Sequence, residues 1–192
     1  MTRRLTAADL ARVAVFAALI AALSLPGAFH LAGSSVPVTL QTLGVMLAGL
    51  LLGARLAALA VLVYLAIGLA GVPVFAGGAA GPGVFAGPSG GYLVGFVVGA
   101  FVVGLIAHRS RRFRPVIGFL ACLIGGILVV YAIGATVLAW RFQLDLWQAA
   151  VIFLPGDLLK AVLATVIASG VYRAYPTLAR DDHPREAAVD RT

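Results

Sequence analysis

Ionisable side chains are scarce in this chain. Only 11% of residues are charged against 62% hydrophobic, and a mean hydropathy of +1.07 lies far outside the range of a soluble domain. The single cysteine, Cys122, sits inside an apolar run, which excludes both a disulfide framework and a thiolate metal site. His30, His108 and His183 fall on different connections, so neither a metal centre nor a Ser/His/Asp triad is expected. No Walker A loop occurs, which excludes ATP hydrolysis by the chain itself. Nothing resembles a charge ring or a repeated filter segment, so a channel is not expected either.

What the chain has instead is a series of apolar runs, at 10–25, 39–53, 56–70, 92–107, 116–138 and 148–175. A length of 192 residues accommodates several spans of about 20 residues and little else. The sequence therefore predicts an all-α integral membrane protein with six transmembrane helices in a single domain, 1–176. Residues 177–192 read as a disordered, solvated tail. Met1-Thr2-Arg3-Arg4 before the first run is read as the flank of a retained helix, because the run leads into further spans.

The net charge of +7 does not indicate nucleic acid. Apart from Arg141, every arginine lies in the N-terminal flank, in the turn at Arg55, in the cluster Arg109–Arg114 or in the C-terminal flank. These read as topology signals and contacts to anionic membrane lipid. With six spans, both termini are expected in the cytoplasm. The connection 26–38, the Gly-rich loop and the entry to the last run would then share the outer face, as a pocket open to the outside.

Three stretches carry chemistry. The first run places Ala14, Ala18 and Ala22 four apart, a small-residue stripe that another helix can approach closely. Spacing alone leaves a partner surface and ordinary internal packing equally open. Residues 71–92 are uncharged and rich in Gly and Pro, so they are expected to be neither helix nor solvated linker. Irregular backbone at membrane depth persists where it is buried or lines a cavity, and Val74, Phe75, Val84 and Phe85 suggest a folded lid.

The third stretch, Phe153-Leu154-Pro155-Gly156-Asp157-Leu158-Leu159-Lys160, opens the last run. A charge in mid-membrane costs roughly 2.5–3.5 kcal/mol on insertion scales, so two within one turn require a reason. Asp157 and Lys160 stand three apart, close enough to present opposite charges to one small object. Pro155 and Gly156 are expected to break the helix just upstream. Two explanations stand: an ion pair that satisfies itself and locks two helices together, or a polar site for a small ligand. Without a nucleophile or a second carboxylate beside them, the pair does not suggest an enzyme.

At this point the motifs carry a resemblance. Val36-Pro37-Val38-Thr39-Leu40-Gln41-Thr42-Leu43-Gly44-Val45, Gly71-Val72-Pro73-Val74-Phe75, Gly87-Pro88-Ser89-Gly90-Gly91-Tyr92 and Leu154-Pro155-Gly156-Asp157-Leu158-Leu159-Lys160 resemble the BioY family. Its members are the biotin-specific substrate-binding (S) components of energy-coupling factor (ECF) transporters. The resemblance implies a six-helix S-component fold and high-affinity biotin binding on the outer face, with uptake across a bacterial or archaeal cytoplasmic membrane and no cofactor. It implies as partners a transmembrane coupling subunit, touched by Ala14, Ala18 and Ala22, and cytoplasmic ATPase subunits. On this basis Asp157 would accept from the ureido N–H and Lys160 would donate to its carbonyl, or Lys160 would take the valerate carboxylate. Phe75, Phe85 and Tyr92 would pack on the rings and tail. Backbone N–H groups at Ser89, Gly90 and Gly91, and the side chain of Gln41, would supply further polar contacts. An S component for a different vitamin is the runner-up, with an intramembrane enzyme using Asp157 and Lys160 behind it.

Overall fold

The computed structural model describes residues 5–25, 39–110, 113–143 and 153–175. Each apolar run contains a helix: α1 (Ala7–Ser24), α2 (Gln41–Leu52), α3 (Ala54–Leu69), α5 (Gly90–Ala107), α6 (Pro115–Phe142) and α7 (Leu154–Ala174). A short α4 (Gly83–Ala86) lies in the Gly-rich stretch. The described residues contain no strand, only an isolated bridge between Phe75 and Ala79. By length and composition α1, α5, α6 and α7 can cross a membrane. The 12-residue α2 and 16-residue α3 are also apolar but shorter, about 18 Å and about 24 Å at 1.5 Å per residue.

Local sequence explains the helix ends. Thr6 caps α1 by accepting from the Asp9 amide, while the Asp9 carboxylate accepts from the Thr6 amide, a reciprocal box that satisfies two orphan donors. Gly53 separates α2 from α3 at φ 76°, a conformation that β-carbon crowding makes costly for any other residue. Pro115 opens α6, where its missing N–H is not needed. Within α6 the segment Cys122–Val129 is a π-helix. Leu154 begins α7, so Pro155 and Gly156 stand in its first turn; the stretch 144–152 that the expected break would interrupt lies outside the described residues. Pro155 fits there because first-turn amides have no partner to lose.

Glycines set how closely the helices approach. A β-carbon on Gly104 of α5 would lie 2.3 Å from the Ala54 amide nitrogen, so α5 rests directly on the α2–α3 junction. The Gly95–Gly99 pair packs on α6 as the small-residue spacing implies: added β-carbons would meet the Val130 and Gly125 carbonyls at 3.1 and 2.7 Å.

The ends of the bundle differ. At one end, Tyr172 of α7 donates to the Leu50 carbonyl at 2.9 Å, and His108 Nε2 lies 3.0 Å from the same oxygen. Phe113 stacks on Tyr172 there, with ring centroids 4.6 Å apart. The opposite end, where α2, α5 and α7 begin, carries the Gly-rich stretch. That stretch is a folded cover, and the sequence reading is corrected in one respect: it contains α4 and a 3-10 turn at Ala76–Gly78. Its anchor is Phe75, which is fully buried with its ring edge against Tyr64. The Val74 carbonyl accepts from Tyr64 at 3.1 Å and also from Ser24 of α1.

Gly68 makes this seat possible, because a β-carbon there would fall 2.2 Å from the Phe75 ring. Gly68→Ala is therefore expected to lower stability by about 1–3 kcal/mol through overpacking, read as a lower Tm in detergent. Gly170→Ala, which meets nothing within 4 Å, is the control and should be neutral or stabilising. Equal melting of the two variants would show that the ring is not held on Gly68.

Candidate ligand-binding site

Beneath the cover lies a cavity of about 260 Å³. Its walls are the start of α2 (Thr39, Gln41, Thr42), the cover (Phe75, Ala76, Ala79, Val84), the start of α5 (Ser89 to Phe96), the middle of α6 (Val130, Tyr131) and the start of α7 (Phe153, Asp157, Lys160). The aromatic lining is continuous: the Tyr92 ring meets Tyr131 and Phe153 edge-on, with centroids 6.3 and 6.2 Å apart. An apolar, concave chamber with a few convergent polar groups is the usual form of a small-molecule site.

The polar groups converge on α7. Asp157 and Lys160 are 3% and 8% exposed, so neither charge is solvated by bulk water. The Lys160 ammonium sits 2.8 Å from Asp157 Oδ1. Thr42 Oγ1 donates to the same oxygen at 2.8 Å and accepts from Lys160 Nζ at 3.1 Å. Tyr131 donates to Asp157 Oδ2 at 2.6 Å. An unpaired buried charge costs several kcal/mol, and here each charge is met by the other and by hydroxyls from two further helices. The pair itself lies within one helix; α2 and α6 are tied to it through Thr42 and Tyr131. The arrangement is thus both self-satisfied and open to the cavity.

A second polar chain fixes Gln41. Its Nε2 donates to the Tyr64 hydroxyl at 2.6 Å, which in turn donates to the Val74 carbonyl. Gln41 therefore links the cavity wall to the anchor of the cover.

Of the residues singled out in the sequence, Asp157, Lys160, Phe75, Tyr92, Ser89 and Gln41 line the cavity. Phe85, Gly90 and Gly91 do not. Phe85 stands behind Phe75, its ring edge-on at 6.0 Å. Gly90 and Gly91 form the first turn of α5 and are buried. A β-carbon on Gly90 would strike the Phe85 carbonyl at 2.1 Å, and one on Gly91 would meet Val137 at 2.6 Å. Their smallness serves packing of the cover and of α6. Ala14, Ala18 and Ala22 lie on the exposed side of α1, opposite the buried Val13, Ala17 and Ile20, and no described residue of α1 lines the cavity.

Thr42 and Tyr131 are the polar contacts that the sequence reading did not single out. They stand 115 and 26 residues from Asp157 in the chain, beyond the reach of spacing arguments. The available signal for Tyr131 was that it is the only tyrosine of the run 116–138.

The fold and this site define a multi-helix membrane protein with a cavity of small-molecule size at one end of its bundle. Residues 1–177 match the BioY family, and the chain belongs to it. It is 44% identical over 179 residues to the biotin transporter BioY of Rhizobium etli, covering 88% of this chain and 96% of that protein. The biotin transporter BioY of Rhodobacter capsulatus is 42% identical over 183 residues, with the same shares covered. Among solved structures, the crystal structure of the S-component for biotin from an ECF-type ABC transporter superposes with a TM-score of 0.81 at 30% identity. That match covers 90% of this chain and 95% of the other.

Proposed function

We propose that the chain is a biotin-binding S component that mediates biotin uptake and draws its energy from a partner ATPase module. The observation that carries this is the enclosed cavity whose polar groups, Asp157 and Lys160 steadied by Thr42 and Tyr131, offer an acceptor beside a donor. Biotin's ureido ring presents the complement, N–H groups beside a carbonyl. Its thiophane ring and aliphatic tail suit the aromatic wall of Phe75, Tyr92, Phe96 and Phe153. The biotin transporters to which the chain is similar support the same reading. Phe85, Gly90 and Gly91 serve the site by shaping the cover and the start of α5.

Six spans with both termini in the cytoplasm complete the proposal. The arginine distribution supports that orientation, and the two shorter helices α2 and α3 would cross by local thinning of the bilayer or by packing against longer neighbours. The cavity then opens outward. The exposed face of Ala14, Ala18 and Ala22 would meet a transmembrane coupling subunit, which docks the cytoplasmic ATPases. The membrane would be the bacterial or archaeal cytoplasmic membrane.

Two measurements test this. Isothermal titration of the purified protein should give saturable biotin binding, and preferential binding of another vitamin would replace biotin as the ligand. In a Cys122→Ser background, a cysteine placed at Gly81 should react with impermeant maleimide on intact cells. One placed at Ser110 should react only after permeabilisation, and the reverse pattern would invert the orientation.

A further inference from the structure

The charge balance of the cavity goes further. Among the described residues that line it, the only carboxylate is Asp157 and the only cation is Lys160, and the two are paired. The lining therefore carries no net charge. The sequence of the adjoining segments 26–38 and 144–152 supplies no lysine or arginine, only His30 and Asp145 as ionisable groups. The arginine-bearing segments 1–4, 111–112 and 176–192 attach to helix ends away from the cover, at Leu5, Ser110, Phe113 and Tyr175. Among the described residues, Arg141, in the last turn of α6, is the remaining cation near the cover; it is exposed, donates to the Phe85 carbonyl at 3.2 Å, and does not line the cavity.

The hydrogen-bond inventory points the same way. An ionised carboxylate has about four acceptor positions; at Asp157 three are taken, by Lys160, Thr42 and Tyr131. An ammonium has three donors, of which Lys160 commits two, to Asp157 and Thr42. Without breaking any of these bonds the pair can accept one hydrogen bond and donate one. A ureido edge, with its N–H and carbonyl, uses both. A ligand carboxylate uses only the donor, and it would share that ammonium with Asp157 in a desolvated space, where two like charges repel.

We propose that the cavity recognises only the neutral ureido head and provides no cation for the carboxylate of the tail, so that a tail-amidated biotin binds as well as biotin itself. The ligand class is then cyclic ureas with an apolar tail of either charge state. This rests on the biotin reading above and specifies which part of the molecule is read.

The test is calorimetric titration of the full-length protein in detergent with biotin and with its primary amide, which differs by one NH2 group in place of an oxygen. Each ligand is titrated into wild type and into Arg141→Gln. The two Kd values are expected to agree within tenfold in wild type, and within tenfold again in Arg141→Gln. A loss of more than tenfold for the amide in wild type overturns the proposal. If Arg141→Gln then equalises the ligands by weakening biotin, Arg141 holds the carboxylate; if the difference persists, Lys160 or His30 holds it, and His30→Gln tells the two apart. Failure of both ligands to bind wild type would remove the biotin reading itself, a different result from selective loss of the amide.

Discussion

Asp157→Asn and Lys160→Ala should each weaken biotin binding by about 30-fold to several thousand-fold, equivalent to losing one charged hydrogen bond of roughly 2–5 kcal/mol in a desolvated site. Geometry also warns of a second effect. Both groups are buried and bonded to Thr42, and Asp157 also to Tyr131, so removing one partner strands the other charge and costs on the order of 3–5 kcal/mol of stability. Asparagine is the milder change, since its amide oxygen still accepts from Thr42 or Tyr131. A double variant, Asp157→Leu with Lys160→Met, separates the roles. Replacing both charges by apolar groups of similar size should restore much of the Tm while binding stays lost, because the acceptor and donor are gone. Wild-type affinity in either single variant, measured by titration on folded protein, would leave the pair with only the task of holding α7 to α2 and α6.

Ala18→Trp should abolish most ATP-dependent biotin uptake by cells while leaving binding to the isolated protein within a few-fold of wild type. The reasoning is spatial. Ala14, Ala18 and Ala22 are exposed on one side of α1, whereas Val13, Ala17 and Ile20 face the core. The cavity takes no lining residue from the described part of α1. An indole on the exposed side would hold a partner helix several ångströms away and remove the close contacts on which helix association within lipid depends. Co-purification with the coupling subunit measures the same effect directly. Loss of biotin binding with intact assembly would show that this side of α1 packs within the protein.

Much of this architecture was legible because membrane burial writes itself into composition. Helices need long apolar runs, and each run in the sequence holds one. The Asp157–Lys160 pair stood out for the same reason, as two charges in a sequence that otherwise avoids them. Other features were hidden by their physics. Thr42 and Tyr131 reach Asp157 across the bundle, and a hydroxyl in an apolar run leaves no periodic trace. Gly90 and Gly91 read as candidate ligand contacts because glycine marks close approach without naming the neighbour; here the neighbours are the Phe85 carbonyl and Val137. The Pro155-Gly156 pair marks the start of α7, because residues that interrupt a helix interior are well tolerated in a first turn.

The π-helical stretch of α6 bears on how this sequence can vary. A wide turn of that kind accommodates a residue that regular winding would not, and it resets the angular phase of everything beyond it. Gly125, within the wide stretch, is pressed against the Gly99 carbonyl and Val103, while Tyr131, just after it, reaches Asp157. Losing the accommodated residue would let ordinary winding carry the helix beyond it in nearly the same phase, whereas a residue added where no wide turn absorbs it would swing Tyr131 by about 100°, away from the carboxylate. The wide turn is therefore a phase adjuster: it takes up a residue within the segment and leaves the tight glycine packing and the ligand site in register with each other.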